Sequence, residues 1–361
     1  MASSQMRALQ VLDWSQGAKA VDAAKPPAPA AGSSAIQIRV LAAGVHQLVR
    51  SRASGRHYSS RTLPHTPGVD GVGVDTSCGR AVYFSLLGEA TGGQHASEIG
   101  TMAEYVNVRR TCAAELPEGV DPAYAAAMMN PIMSSWMALR YRAGDAVKST
   151  GWSCLVVGAT GASGRMAVRT ARAHGAGRII GAARNEDKLS AVEGLDARVV
   201  LRDPPSETDW SVAADASVVL DYLWGPWPGA FLAATAKTKS ALTWISIGAV
   251  AGPDAAAPGV PAAALRGRDV TIRGSGAGSW TAEQMEAELG GMVAVLKGCD
   301  VARGEVVRVR LEDAEAGTEA GGKLWGQAKA EGSWELEHED GCIERERKRE
   351  KKKKKTEYKT C

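Results

Sequence analysis

The sequence predicts an α/β protein in which a doubly wound parallel sheet is joined to a small β-rich domain. First, residues 153–188 run as strand, glycine turn, helix and strand, which is one βαβ unit. Second, the apolar runs after this unit alternate with helix-length segments, as in a parallel sheet. Third, short strands joined by Gly and Pro turns fill residues 6–116. At 361 residues the chain is long enough for two domains.

The glycine turn after Val157 is the part of the βαβ unit that points to a ligand. An apolar run suited to a buried parallel strand leads through this turn directly into an amphipathic helix. Gly161 leaves room for a pyrophosphate, Gly164 lets the helix pack closely on the strand, and the first helical amides face the anion. Ala159 replaces the first glycine of the usual pattern, which becomes A-x-G-x-x-G. We interpret the turn as a dinucleotide site, the alternative being an ordinary helix-packing turn.

The end of the second strand of the unit distinguishes NADP from NAD. An NAD site places a carboxylate about 20 residues after the glycine turn, but residues 182–185 read Ala-Ala-Arg-Asn. Arg184 can instead bind a ribose 2′-phosphate, with Lys188 one turn further on as a second positive charge. The alternative is a solvated arginine beside the helix cap Asn185.

The remaining elements are read in chain order. Strands are predicted at residues 6–11, 36–40 and 80–84, and a helix is predicted to start at Asp121-Pro122. Pro131 is expected to break this helix, so that a second one covers residues 132–141. Further parallel strands are predicted at residues 199–201, 218–222, 242–247 and 270–272, and a capping box at Thr281 to Gln284 starts another helix.

Composition and charge favour a protein of the cytoplasm. The chain is 45% hydrophobic and 23% charged, lacks a long apolar run, and begins without the apolar core of a signal peptide. Its six cysteines form no C-x-x-C pair. The net charge is +3, but residues 343–361 carry ten Lys or Arg against four Glu, so this segment is +6 and the rest is −3. We therefore expect no membrane segment and no nucleic-acid surface on the folded part.

Eight segments of the chain resemble the medium-chain dehydrogenase/reductase superfamily, and within it the zinc-free quinone oxidoreductase-like (zeta-crystallin-like) branch. They are IQIRVLAAGVH, LPHTPGVDGVG, GTMAEYV, MNPIMSSWMAL, GATGASGRMAV, VVLDYLWGP, WISIGAVAG and IRGSGAGS. The resemblance implies a GroES-like catalytic domain over residues 1–120, a Rossmann NADP-binding domain over 121–278 and a return to the catalytic domain over 279–320.

The resemblance also implies the chemistry. Zinc-dependent members of the superfamily hold catalytic zinc with two Cys and one His, and the matching positions here are His46, Val69 and Asn130. One imidazole cannot replace three strong donors, so no metal site is expected. Without a Lewis acid, the acceptors favoured are those that spread the developing charge themselves. The expected reaction is therefore hydride transfer from NADPH to a quinone or an α,β-unsaturated carbonyl, a small-molecule substrate.

The site residues carry over from the resemblance position by position. His46 and Tyr58 match positions near the substrate cleft, where either would donate a hydrogen bond to the acceptor oxygen and His46 would supply a proton. The alternative for His46 is a structural residue, because many relatives have Asn there. Beyond the turn and the arginine, the implied cofactor contacts are Asn130, Ser134, Ser163, Tyr222, Gly248, Gly274 and Ser275, although glycines at strand ends also occur simply because chains turn.

The C-terminal segment departs from the family. Relatives end with a helix and a short strand, and residues 321–361 are expected instead to be a charged, disordered tail, with a change of reading frame or splicing near Gly317. Weak polyanion binding through Lys351 to Lys355 is an alternative role for this tail. For the whole chain, a dinucleotide-binding sensor or structural protein without turnover is the alternative to an enzyme, and a homodimer is left open.

Overall fold

The structure is a computed structural model that describes residues 5–57, 60, 62–87, 100–251, 259–297, 306–325 and, by their backbone, 333–337. The chain divides into two compact units. The first combines Met1–Ala127 with Arg303–Cys361, and the second is Met128–Ala302. The expected return to the first domain at residue 279 differs from this division, because the helix that follows Thr281 belongs to the second unit.

The elements alternate in type as the sequence predicts, with a β-rich segment before an α/β segment. The strands are β1 (Gln5–Val11), β2 (Ala18–Ala24), β3 (Ala35–Val45), β4 (Asp70–Asp75), β5 (Ala81–Ser85), β6 (Tyr105–Arg109), β7 (Ala113–Glu115), β8 (Ser153–Val157), β9 (Arg178–Ala183), β10 (Ala197–Val200), β11 (Val218–Asp221), β12 (Leu242–Ser246), β13 (Val270–Gly274), β14 (Val306–Arg310) and β15 (Ser333–Glu337). The helices are α1 (Gln47–Ala53), α2 (Pro122–Tyr141), α3 (Ala162–Ala173), α4 (Glu186–Ser190), α5 (Trp227–Ala234), α6 (Ala262–Gly267), α7 (Ala282–Ala294) and α8 (Glu319–Trp325).

The first unit is built on β3, the longest strand of a seven-stranded sheet. The strands lie in the order β14-β15-β3-β4-β5-β7, and β6 also pairs with β3. The alternation that predicts β3 is confirmed, since Ile36, Ile38 and Val40 are buried in one core cluster with Phe84 and Val106 of the neighbouring strands. Because β3 pairs on both sides, its two ends are held in place, and its carboxyl end leads straight into α1.

Helix α8 and strand β15 correct the expectation that the family's closing helix and strand are absent. Helix α8 is followed by β15, which pairs parallel with β14 and antiparallel with β3. The sequence SWELE alternates polar residues (Ser, Glu, Glu) with apolar ones (Trp, Leu), which is the period of a strand. The sequence analysis missed this alternation because charged residues surround it. Lys351 to Lys355 lie outside the described residues.

The second unit is a six-stranded parallel sheet with helices on both faces. Its strand order is β10-β9-β8-β11-β12-β13, so the chain winds outward from β8 in one direction and then from β11 in the other. This is the doubly wound Rossmann order. One face is covered by α2 and α3, whose Ala138, Ala167 and Ala171 are buried against it, and the other by a cluster around Phe231 and Trp244.

Helix α2 is continuous through Pro131, so the prediction that this proline breaks the helix is wrong. The predicted start is confirmed, because an Asp121 carboxylate oxygen accepts a hydrogen bond from the Tyr124 amide at 3.0 Å. Pro131 removes one backbone donor from the helix. Burial on both sides of the proline outweighs this loss, since Met129, Ile132 and their neighbours are fully buried.

Candidate dinucleotide site

The point where the strand order reverses lies between β8 and β11. Ligands of open parallel sheets bind beside such a point, at the carboxyl ends of the strands. The segments that leave β8, β9, β11, β12 and β13 at that end all contain predicted cofactor residues. These are Ala159, Gly161, Ser163 and Gly164 after β8, Arg184 and Lys188 after β9, Tyr222 after β11, Gly248 after β12, and Gly274 and Ser275 at the end of β13.

The turn glycine of the site is Gly158, one residue before the position considered in the sequence analysis. Its φ is +95°, a backbone conformation that residues with a side chain rarely adopt. Ala159 is fully buried, and its Cβ lies next to Gly181 of β9. The alanine therefore fills space between two strands, while the preceding glycine makes the turn. The signal for this was a glycine directly after an apolar strand.

Gly161 and Gly164 serve the site in different ways. A Cβ on Gly164 would lie 2.7 Å from Ala159 Cα, so only glycine lets α3 approach the turn this closely. A Cβ on Gly161 would meet only the Gly158 carbonyl oxygen, at 3.8 Å. Gly161 is exposed, so the space beside it is open to a ligand. Close packing is thus seen at Gly164, whereas the role of Gly161 toward a pyrophosphate stays a prediction.

Helix α3 presents its first amides at this turn. Gly161 is its N-cap and brings no side chain to accept from them. The first-turn amides of Ala162, Ser163 and Gly164 have no carbonyl partner within the helix, because the helical ladder starts with the Arg165 amide donating to Gly161. Free amides and the positive end of the helix dipole together favour an anion such as a pyrophosphate.

Arg184 follows the last residue of β9 and is exposed. No group of the described residues forms a hydrogen bond or ion pair with its guanidinium. Asn185 caps α4 by accepting from the Lys188 amide at 2.8 Å, as the sequence predicts. Lys188 is exposed one turn later. The arrangement leaves a planar cation available to a phosphate beside the strand that neighbours β8.

Tyr222 and Ser134, two of the predicted cofactor residues, lie next to each other. Their hydroxyl oxygens are 3.2 Å apart. The Ser134 hydroxyl donates to the Pro131 carbonyl oxygen at 2.7 Å, so Tyr222 is the donor in the pair. Burial of the phenol raises the pKa of Tyr222. Asn130 lies half-buried on the same helix, one residue before the proline.

Asp221 shapes the loop after β11 and was missed in the sequence analysis. One carboxylate oxygen accepts from the amides of Leu223 and Trp224, each at 2.9 Å, and the other accepts from the Trp244 indole at 3.0 Å. The residue is fully buried, and this burial raises its pKa to about 6 against the effect of the three donors. The carboxylate holds Trp224 at a φ of +55°. Asp221 could have been singled out in the sequence, because it is an acidic residue at the end of an apolar strand.

The loop after β12 passes close to the loop after β11. A Cβ on Gly248 would lie 2.9 Å from the Tyr222 carbonyl oxygen, so the two chains approach closely where this glycine stands. The Gly248 amide also donates to the Asp221 carbonyl oxygen at 3.2 Å. Gly248 is thus required by the packing of these loops, and its role in cofactor binding stays a prediction.

The end of β13 is held by Arg142, the residue directly after α2. The Gly274 carbonyl oxygen accepts from Arg142 Nε at 2.9 Å, and the Ser275 amide donates to Ser246 at 2.8 Å. Helix α7 is attached to α2 through Glu288, which the sequence analysis did not single out. Its carboxylate accepts from Trp136, Arg140 and Tyr141 at 2.7, 2.9 and 3.2 Å.

His46 lies in the first unit, at the end of β3, and is the N-cap of α1. Its Nε2 is 3.3 Å from a carboxylate oxygen of the fully buried Asp70, and 16% of the His46 side chain is exposed. Tyr83 donates its hydroxyl to the other Asp70 oxygen at 3.0 Å. The sequence had shown no partner for His46. Tyr58, the other predicted catalytic residue, lies outside the described residues.

Two kinds of feature are absent from the described part of the chain. Across the residues that the structure describes, no three His, Cys, Asp or Glu side chains are grouped so that they could hold a metal ion. Within the same ranges, no helix has both the length and the apolar character needed to cross a bilayer.

The chain resembles quinone reductases in sequence and in fold, although no model of a known protein family matches it. It is 33% identical over 315 residues to the "Probable NADPH-dependent quinone reductase tdiC" of Emericella nidulans. This match covers 75% of this chain and 84% of that protein. It is 32% identical over 163 residues to the quinone oxidoreductase of Rattus norvegicus, covering 44% of this chain and 47% of the relative. The solved quinone oxidoreductase of Thermus thermophilus, also determined in complex with NADPH, matches with a TM-score of 0.66 at 23% identity, over 92% of this chain and 100% of its own.

Proposed function

The chain belongs to the medium-chain dehydrogenase/reductase superfamily, in its quinone oxidoreductase-like branch, and on this basis we propose that it transfers a hydride from NADPH to a quinone or an α,β-unsaturated carbonyl. It is an oxidoreductase whose cofactor is NADPH. The observation that carries the proposal is the glycine turn at the reversal of the sheet, with the exposed Arg184 at the end of the adjoining strand.

The residues at this turn fit a dinucleotide phosphate. The open space at Gly161 and the free first amides of α3 would hold the pyrophosphate. Arg184 would bind the ribose 2′-phosphate with two parallel hydrogen bonds, which a planar guanidinium makes well, and Lys188 would add charge. Tyr222 and Ser134 would border the nicotinamide, together with Asn130, Gly248 and the Gly274-Ser275 turn. NADPH, when bound, supplies the hydride, and these residues orient it.

We propose that the reaction needs no zinc. At the three positions that the resemblance matches to zinc ligands, Val69 and Asn130 cannot provide the thiolate or imidazole donors of a catalytic zinc site. The third position, His46, directs Nε2 toward Asp70. A quinone or enone delocalises the negative charge that a hydride brings, so it needs less stabilisation than a simple ketone does. This favours such acceptors over simple carbonyls.

His46 is the proposed proton donor to the reduced acceptor. An imidazole can take up a proton and pass it on, and part of this side chain is open to solvent. Tyr58 remains a predicted hydrogen-bond donor to the acceptor oxygen.

The test is NADPH oxidation by the purified full chain against a panel of quinones and enones. We expect turnover with several quinones and enones. The rate should not change after treatment with a zinc chelator. The Arg184→Ala variant should bind NADPH more weakly than the wild type. Arg266→Ala is the matched control, because Arg266 is equally exposed but lies on α6, before the amino end of β13. NADPH binding without turnover across the panel would indicate a dinucleotide-binding sensor instead. Loss of turnover on chelation would contradict the metal-independent reaction.

A further inference from the structure

Asp70 is a buried carboxylate placed between an imidazole and a phenol. It begins β4 and is fully buried. Its two oxygens lie 3.3 Å from His46 Nε2 and 3.0 Å from the Tyr83 hydroxyl. Its carbonyl oxygen accepts from the Thr101 hydroxyl at 2.9 Å, which fixes the backbone at the same residue. The carboxylate therefore has two partners, and the backbone that carries it has a third.

The packing around Asp70 allows it to reach His46. A Cβ on Gly44 would lie 3.3 Å from the Asp70 oxygen that faces His46 and 2.7 Å from the Ala126 carbonyl oxygen. Glycine at this position leaves the room that the His46 and Asp70 pair needs. Tyr83 is fully buried, and its burial together with the Asp70 carboxylate raises the pKa of its hydroxyl, so the phenol stays a donor.

This arrangement selects one tautomer of His46. A carboxylate only accepts hydrogen bonds, so the ring nitrogen facing Asp70 must carry a proton. In the neutral ring, Nδ1 is then the unprotonated nitrogen. It does not accept from the amides of α1, since the His46 side chain makes no cap hydrogen bond. Among the described residues the His46 ring forms no other hydrogen bond, so Nδ1 is the nitrogen left for a substrate.

We propose that Asp70 is a positioning residue that holds His46 with Nε2 protonated and Nδ1 directed to the acceptor oxygen. This inference rests on the proposed reduction of a quinone or enone. As the acceptor takes a hydride from NADPH, its oxygen gains negative charge. The Nδ1–H bond of protonated His46 breaks and an O–H bond forms, which leaves neutral imidazole with Nε2–H still donating to Asp70. Solvent returns the proton to Nδ1, so each cycle consumes one hydride and one proton.

Nitrogen-15 NMR of the full chain without cofactor reads the tautomer directly. The unprotonated ring nitrogen of a neutral histidine resonates far downfield of the protonated one, and the His46 signals are assigned by their absence from His46→Asn. We expect neutral wild-type His46 with Nε2 protonated. The opposite tautomer in the wild type would overturn the proposal whether or not the protein turns over any substrate.

Asp70→Asn tests the role in turnover. An asparagine retains one oxygen for the Tyr83 hydroxyl and turns its amide toward His46, so Nε2 must accept and the proton moves to Nδ1. We expect kcat to fall on the order of 100-fold, as for loss of general acid catalysis, with NADPH affinity unchanged. The matched control is Asp75→Asn at the other end of β4, which is also buried but bonds Ser77, and which should leave both tautomer and kcat unchanged.

A double-mutant cycle separates positioning from simple support of the fold. If Asp70 acts through His46, then Asp70→Asn adds no further loss of kcat in the His46→Asn background. Additive losses, or full kcat in Asp70→Asn alone, would overturn the inference. Turnover by the wild type in the same assays shows that the proposed function stands. A failure of the inference about Asp70 can therefore be distinguished from a failure of the proposed function. If Asp70→Asn does not fold, Tyr83→Phe serves as a second test. This variant keeps the Asp70 carboxylate, so we expect His46 to retain the wild-type tautomer in it.

Discussion

Gly164 lies so close to Ala159 that a Cβ on the glycine would be 2.7 Å from the alanine Cα. The first turn of α3 thereby rests directly on the loop that leaves β8. This contact brings the free amides of the helix to the carboxyl edge of the sheet, where the proposed pyrophosphate binds. The packing of two small residues thus positions the proposed anion site.

Gly164→Ala and Gly161→Ala are predicted to have different effects. The first variant must push α3 off the turn, and overpacking of this kind costs about 1–3 kcal/mol of unfolding free energy. The second meets no close neighbour and has an ordinary φ of −76°, so the fold should keep its stability while the new methyl group narrows the space for a pyrophosphate. Thermal unfolding and NADPH titration of both variants check this. Equal NADPH affinity in Gly161→Ala and the wild type would place the pyrophosphate elsewhere.

Arg184→Ala is predicted to lower the affinity for NADPH but not for NADH. A hydrogen bond to a charged group contributes about 1.5–3 kcal/mol, which corresponds to roughly a 10- to 100-fold change in Kd. NADH lacks the 2′-phosphate, so its Kd should not change. Calorimetric titration of both nucleotides measures this, with Arg266→Ala as the control. A parallel loss for both nucleotides would remove the proposed role in selectivity.

Asp221 is predicted to make the stability of the fold depend on pH. Its pKa rises from an ordinary 3.8 to about 6 on folding, so the folded protein binds more protons between these values. The contribution of Asp221 is therefore fully present below pH 3.8 and falls as the pH rises through 6, by about 3 kcal/mol in total. Denaturant unfolding from about pH 2 to pH 7 should show this slope in the wild type relative to Asp221→Asn.

Asp209→Asn provides a control of opposite sign for that experiment. Asp209 is exposed, and hydrogen bonds from Ser211 lower the pKa of its carboxyl group. Its contribution to stability is present above pH 3.8 and is lost as the pH falls through the lowered pKa. The same slope in both comparisons would mean that burial of Asp221 does not cause the effect.

Ser134→Ala is predicted to destabilise the protein more than Tyr222→Phe. Removing the phenol hydroxyl leaves Ser134 still donating to Pro131, so the net cost is about 1 kcal/mol. Removing the serine leaves the Tyr222 hydroxyl without this acceptor inside the protein, where a lost partner costs about 1–3 kcal/mol. Chemical denaturation ranks the two variants. The reverse ranking would show that Tyr222 is not the donor in the pair.

The glycine turn, α3 and the flanking strands could be predicted because their signals are local. An apolar run, a glycine cluster and a capping residue each report on a few adjacent positions. The prediction of a helix break at Pro131 was wrong because the burial of its neighbours keeps α2 continuous. No local sequence pattern shows this burial. The strand β15 was missed since its five residues lie within a charged segment.

The partners of the site residues could not be predicted, because they come from distant parts of the chain. Asp70 lies 24 residues from His46, and Ser134 lies 88 residues from Tyr222. Asp221 could be placed at a strand end, but its three donors depend on how the loop folds back over it. Family resemblance located several of these positions without indicating what each contacts.

The most direct test of the account follows the hydride itself. The wild-type chain is mixed with an enone and NADPH that carries deuterium at the transferable position of nicotinamide C4. The account predicts that the deuterium appears on the β-carbon of the saturated product, one label for each NADPH oxidised, with a chelator present. NADPH that binds at the Gly161 turn but stays reduced across the whole panel of enones and quinones would contradict it.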